Sequence, residues 1–246
     1  MKELRVAVCA IMKDENQYLE DWVKHYQNIG VDTIFIYDNL SKIPVTDTLV
    51  EIDHLIDIDV EVRNWNNEEF RSQSKAYLDC ALNNQEYDFI GFFDADEFYI
   101  SKNMNIKQDI KDLTEEYGEI DALGVYWRIY GNIPYFETRQ PVNKYVMYFN
   151  DKHIKSWVNP KVILDFPDPH RTSIKSSRYI DELGRKIISP IGQHTSENMY
   201  IKHIFTRSKE EWQDKMNRGD ANLRRNLRTW DDFYNYNNLC VNVDNV

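Results

Sequence analysis

Glycine is missing from the first 29 residues, so the chain lacks the glycine-rich N-terminal loop with which an enzyme that makes nucleotide sugars cradles phosphates. Cysteine is scarce as well. The three cysteines (Cys9, Cys80, Cys240) stand far apart without a C-x-x-C pair, which excludes a disulfide framework and a cysteine zinc site. Reduced thiols in a cytoplasmic protein are the expectation. No apolar run is long enough to cross a bilayer, and Lys2-Glu3 leads straight into a strand pattern instead of a signal peptide. A soluble protein is expected, at most peripheral at the inner face of a membrane. Positive charge is also in deficit. Thirty Lys and Arg against 41 Asp and Glu give a net charge of −11, which argues against nucleic acid as a partner. The exception is a cluster of Arg218, Arg224, Arg225 and Arg228, which reads either as a solvated helix face or as a patch facing a membrane or an anionic acceptor.

What the chain does have is apolar and aromatic mass. Hydrophobic residues make up 42% of its 246 positions and aromatics 13%, enough for a substantial core. Sixteen Tyr and six Trp suit sugar binding, although packing is their commoner use. Leu4 to Ile11, Thr33 to Tyr37 and Asp88 to Phe93 are short, β-branched or aromatic runs that predict buried strands, and Val60 to Trp65 predicts another. Between them, Leu19, Trp22, Val23, Tyr26 and Ile29 recur at helical spacing up to Gly30, and Glu68 to Asn83 carries a second amphipathic pattern. Strands alternating with helices predict an α/β fold with a mostly parallel sheet. In such sheets ligands bind beyond the carboxyl ends of the strands. Lys13–Asn16, Asp38–Asn39 and Asp94–Glu97 all fall at those ends. Farther on, Ala122 to Ile129, Lys155 to Val158 and Val162 to Asp165 read as strands, and Lys209 to Arg218 as a helix. The expected organisation is one domain over residues 1–220 and a C-terminal extension over 221–246.

Asp94-Ala95-Asp96-Glu97 is the strongest chemical signal. Three acids in four residues at a strand end repel one another unless a cation is present, and hard oxygen ligands suit Mn²⁺ or Mg²⁺. An acidic turn capping the next helix is the plainer alternative. Asp38 is placed to meet a ribose or base, or to form an Asx turn with Asn39. Glu15 fits the first turn of a helix.

In order along the chain, Lys13-Asp14-Glu15, a Trp-bearing helix, Gly30-Val31-Asp32, Tyr37-Asp38-Asn39 and Phe93-Asp94-Ala95-Asp96-Glu97-Phe98 resemble the glycosyltransferase family 2-like and family 92 group. Arg71 with Gln73, Trp127 to Asn132, Lys155 to Pro160 followed by His170, and His203 to Ser208 with Trp212, Lys215 and Arg218-Gly219 extend the resemblance over about residues 5 to 220. It implies a GT-A-type fold, a nucleotide-sugar donor with UDP favoured, Mn²⁺ or Mg²⁺, a glycan or lipid-linked glycan acceptor and inversion at the anomeric carbon. On matched positions it implies that Glu15 and Asp38 hold the nucleoside, Arg71 and Gln73 the donor side, and Asp94 and Asp96 the metal and ribose. Lys13 and Asn39 fall in the same donor-binding stretches. Asp14 in place of Asn, the Ser41–Pro44 segment and Arg207 in place of Lys depart from the pattern.

His170 and His203 are both candidates for a third metal ligand; the turn Pro169-His170-Arg171 favours His170. Arg171 and Lys155 are candidates to cover a diphosphate. Asp165, Asp168, Glu137 and Glu197 are unranked candidates for the base. Two other classes compete. A haloacid-dehalogenase-type phosphatase would carry Asp-x-Asp on its first strand and Thr or Val where Phe98 stands. A catalytically silent sugar-binding module would not need an intact acid cluster.

Overall fold

The computed structural model describes residues 3–67, 70–218 and 228–244. In chain order its elements are β1 (Val6–Met12), α1 (Leu19–Asn28), β2 (Thr33–Asp38), α2 (Val45–Ile52), β3 (Asp59–Asn64), α3 (Ser72–Asn83), β4 (Phe89–Phe92), β5 (Glu97–Ile100) and α4 (Ile106–Tyr117). There follow β6 (Ala122–Tyr130), β7 (Met147–Val158), β8 (Ile163–Asp165), β9 (Ser173–Ile174), β10 (Tyr179–Ile180), β11 (Tyr200–Ile204), α5 (Lys209–Arg218), α6 (Trp230–Leu239) and β12 (Asn242–Val243).

One sheet runs in the order β3-β2-β1-β4-β7-β6-β11-β5, with β10 added to β6 and β12 to β7. The expected α/β class is borne out, and the β3-β2-β1-β4 half is parallel throughout. The second half is mixed. β7 lies antiparallel to both β4 and β6, and β5 antiparallel to β11.

Helices cover both faces of the parallel half, which explains why β1 and β2 read as continuous apolar runs. α1, α2 and α4 bury Trp22, Val45 and Ile110 against Val6, Val8 and Ile34. α3 buries Ala76, Tyr77 and Cys80 against Ala7, Cys9 and Phe35 on the other side. Gly91 lets the aromatic layer close over β4, since a Cβ there would come within 2.4 Å of Phe93 and 2.6 Å of Trp157. All three cysteines are buried and free.

The segment after residue 227 packs back onto this body. β12 pairs with β7, Phe233 is fully buried, and the Asn237 side-chain oxygen accepts from the Asn132 N–H and the Thr206 hydroxyl. Arg224 and Arg225 lie outside the described residues, so the arginine patch has no structural account. Among the described residues no helix is long and apolar enough to cross a membrane.

Candidate active site

β4 delivers the acid motif to the carboxyl edge of the sheet, and α1 holds its backbone. The Trp22 indole N–H donates to the Asp94 carbonyl at 3.0 Å and the Tyr26 hydroxyl to the Glu97 carbonyl at 3.0 Å. A backbone fixed at both ends sends the three carboxyl groups in different directions.

Asp94 faces α3 and β7. Its Oδ1 accepts from the Gln73 amide and from the Tyr77 hydroxyl, and its Oδ2 lies 3.1 Å from Lys155 Nζ. Burial opposes its ionisation most strongly, but Lys155, through its charge and its contact, together with His203 holds the carboxyl below its ordinary range. Glu97 is wholly buried. Its Oε2 accepts the Asp94 N–H at 2.9 Å and sits 3.4 Å from Lys155 Nζ. Burial pushes its pKa well up, against the pull of Lys155. Glu97→Gln, which keeps the size and the acceptor, is therefore expected to change stability by less than about 1 kcal/mol. Glu97→Ala should cost about 2–3 kcal/mol, because it opens a cavity and orphans the Asp94 N–H. Denaturant unfolding of the two variants at neutral pH checks both values.

Asp96 faces the C-terminal elements. Its Oδ2 receives Arg207 Nη2 at 2.9 Å and Lys215 Nζ at 2.8 Å, and its Oδ1 lies 3.6 Å from His203 Nε2. Against the cost of burial, Lys215 and Arg207 hold this carboxyl well below its ordinary range. Burial and the neighbouring Arg207 lower Lys215 itself to about 8. Arg207 also reaches Glu15 at 2.7 Å, so one guanidinium joins the end of β1 to the acid motif. His203 is buried and its pKa is lowered chiefly by that burial, which keeps the ring neutral. Its Nδ1 faces Glu97 Oε1 at 3.9 Å, and neither atom has a hydrogen-bond partner among the described residues.

The structure thus gathers Glu15, Gln73, Asp94, Asp96, Lys155 and His203 from the sequence-derived set. Other members have partners of their own. Asp38 Oδ1 accepts from Ser41 N–H and Oδ2 from Val45 N–H, so the carboxylate organises the loop before α2. Asn39 is buried beside it. Lys13 leads into Asp14, whose positive φ and bond to the Lys42 N–H tie that loop to β1. Arg71 occupies a left-handed position before α3 and donates to the Phe166 carbonyl. Arg171 rests over the Tyr179 ring, 5.0 Å from its centroid, and reaches the Ile187 carbonyl.

The expected Asp94–Asp96–His170 ligand set is not assembled. Among the described residues no group of three or more His, Cys, Asp or Glu is arranged to hold a metal ion. The physical reason is that Asp94 is already engaged by Gln73, Tyr77 and Lys155, while His203, not His170, comes up to Asp96. His170 instead packs edge-on against Trp127, with ring centroids 4.8 Å apart. Burial, and then Lys155, lowers its pKa to about 4.

None of the four base candidates meets the cluster. Glu137 is exposed and paired with Lys209 at 2.6 Å, and Asp165 is exposed near Arg71. Asp168 caps the His170 N–H at 2.7 Å, and Glu197 is exposed with its carbonyl bonded to Arg128. Trp127, Asp151 and His153 went unnoticed in the sequence as site residues. Trp127 packs against His203 and His170 edge-on, with centroids 4.4 and 4.8 Å away, and against His153 at a tilt, 5.1 Å away.

Sequence comparison points to one family. The family model described as "Glycosyltransferase family 92" matches residues 2–240. A glycosyltransferase family 92 protein of Ricinus communis is 27% identical over 134 residues, covering 53% of this chain and 23% of its own length. One from Arabidopsis thaliana is 28% identical over 125 residues, covering 48% of this chain and 21% of its own. The matches thus span less than a quarter of those relatives. Among solved structures, S. aureus TarS aligns with 12% identity and a TM-score of 0.40 over 63% of this chain and 47% of its own. Glucosyl-3-phosphoglycerate synthase from Mycobacterium tuberculosis, in complex with Mn²⁺, UDP and glucosyl-3-phosphoglycerate, aligns with 11% identity and a TM-score of 0.39 over 65% and 58%. With a family model matched from end to end, and the acid motif that first suggested the group buried at the centre of the site, the chain belongs to glycosyltransferase family 92.

Proposed function

We propose that this glycosyltransferase moves a hexose from a nucleoside-diphosphate donor, a UDP-sugar in the favoured case, to a glycan or lipid-linked glycan hydroxyl by a single inverting displacement. The observation that carries the reading is the buried charge cluster at the carboxyl end of β4. Acids at that depth are costly to ionise without a function or a counter-charge.

The cluster also supports a divalent cation. Lys155, Arg207 and Lys215 each already face a carboxylate, so the charge of an incoming diphosphate calls for a further cation. Asp96 Oδ1 and the neutral His203 Nε2, 3.6 Å apart, fit two ligands of one Mn²⁺ or Mg²⁺, with donor oxygens and water completing the shell. When bound, such an ion neutralises charge that grows on the departing diphosphate. The chain's own residues do the rest. Arg207 and Lys215 hold Asp96 in place, Glu97 faces the second ring nitrogen of His203, and Gln73 and Tyr77 fix Asp94 for the donor's ribose.

A thermal-shift titration with UDP tests the reading. UDP is expected to raise the melting temperature with Mn²⁺ present and to lose that effect in excess chelator, because only a ligand of the native state stabilises it. His203→Ala is expected to shift the Mn²⁺ midpoint by about tenfold or more, as loss of a metal-site residue does. His170→Ala should leave the midpoint within about twofold. Equal stabilisation by UDP with and without metal would count against the metal, and the reverse pattern in the two histidines would exchange their roles.

A further inference from the structure

We propose that His153, held by Asp151, is the general base that takes the proton of the acceptor hydroxyl; this rests on the glycosyl-transfer reading above. Asp151 and His153 precede Lys155 on β7 where the pairing with β6 shifts register between Tyr126 and Arg128, so ring contacts, not strand alternation, place His153: its ring lies 5.1 Å from Trp127 and 5.3 Å from His170. Lys155 is buried against Asp94 and Glu97. Two residues toward solvent, His153 keeps 35% of its side chain exposed. β7 therefore leads from Lys155 in the acid cluster to an accessible imidazole.

The ring is oriented as a base must be. Asp151 Oδ1 lies 2.6 Å from His153 Nδ1 and also accepts the His153 backbone N–H at 2.8 Å. A carboxylate at Nδ1 sets the tautomer with the proton on Nδ1 and leaves the Nε2 lone pair to accept. No hydrogen bond engages Nε2 among the described residues.

Position matters equally. In an inverting displacement the hydroxyl enters opposite the leaving diphosphate, so the base must stand off from the diphosphate charges by about the width of a sugar. The Trp127 indole contacts a ring at each end: its centroid lies 4.4 Å from that of His203, which adjoins Asp96, and 5.1 Å from that of His153 at a 31° tilt. The acceptor oxygen bonds to the anomeric carbon as its proton passes to His153 Nε2. The anomeric C–O bond to the diphosphate breaks with its electron pair on the phosphate oxygen. Asp151 stabilises the imidazolium until its proton leaves to solvent.

The experiment measures UDP release from UDP-glucose and UDP-galactose, with methyl glycosides as acceptors, by the wild type, His153→Ala, His153→Gln and Asp151→Asn. UDP-with-Mn²⁺ thermal shifts on each variant report folding and donor binding. His153→Ala and His153→Gln are expected to lower kcat by about a hundredfold or more, with the donor KM and the UDP shift unchanged. Added imidazole should restore part of the His153→Ala rate, which a packing defect would not allow. Asp151→Asn should lower kcat with an unchanged donor KM. If both His153 variants keep kcat within threefold of wild type, the base assignment is overturned while the transfer reading stands. A loss of rate matched by an equal loss of UDP binding, without imidazole rescue, also overturns it. A wild type that binds UDP but turns over neither donor sinks the transfer reading, and the base with it.

Discussion

Asp96→Asn should lower transfer by at least about a hundredfold and destabilise the fold by about 3 kcal/mol at the same time. The rate loss follows from the role of Asp96 Oδ1 beside His203: an amide keeps the volume but surrenders the charge that would hold a cation there. The stability loss follows from the other oxygen. Arg207 and Lys215 both end on Oδ2, and both are buried. Without the carboxylate, Arg207 keeps Glu15, while Lys215 keeps the Phe205 carbonyl and the face of the Phe205 ring but loses its carboxylate contact. The motif alone suggests that this substitution would leave the fold intact; the structure revises that expectation. Denaturant unfolding and UDP release on the same preparation separate the two effects. Unchanged stability would mean that the Arg207 and Lys215 contacts contribute little.

Lys155→Met should be nearly as disruptive, at about 3 kcal/mol or more, since breaking a buried ion pair by removing one partner strands the other charge. Met retains the apolar stem but takes away the cation beside Glu97 and, among the described residues, leaves the Asp94 carboxylate Gln73 and Tyr77 as donors. Lys155 is 1% exposed, so solvent offers no substitute. Burial disfavours its charge, yet Asp94 and Glu97 raise its pKa, and the variant should show that this coupling is mutual. The expected readouts are a lower unfolding midpoint in denaturant and a weaker UDP-dependent thermal shift. A midpoint within about 0.5 kcal/mol of wild type would mean that Asp94 and Glu97 are satisfied without the lysine.

The inner parallel strands were legible because they are buried on both faces. β1, β2 and β4 appear as unbroken apolar runs, and the polar residues at their ends mark the ligand edge. The acid motif was legible for the same reason, standing where an apolar run stops. β7 was not. Only Lys155 to Val158 reads as a strand, because its first half, Met147 to His153, is partly exposed and mixes polar with aromatic residues. With that half went Asp151 and His153. α4 escaped although Ile106, Ile110 and Leu113 recur at helical spacing after the Asn105 cap; that cap and period were the available signal. The pairing of Asp96 with Lys215 joins residues 119 positions apart, and no local pattern reports such a contact. The preference for His170 over His203 had the same origin. Its turn looked mobile enough to return to the sheet, whereas β11, a fully buried strand beside β5, brings His203 directly to Asp96.

The central claim is that the charge cluster turns over a nucleotide sugar and does not merely bind one. Its most direct test is UDP release from a panel of UDP-hexoses in Mn²⁺, with methyl glycosides as acceptors, for the wild type and Asp96→Asn side by side. The expected result is acceptor-dependent release from at least one donor by the wild type, reduced by at least about a hundredfold in the variant. UDP binding without release from any donor, or equal release by both proteins, would contradict it.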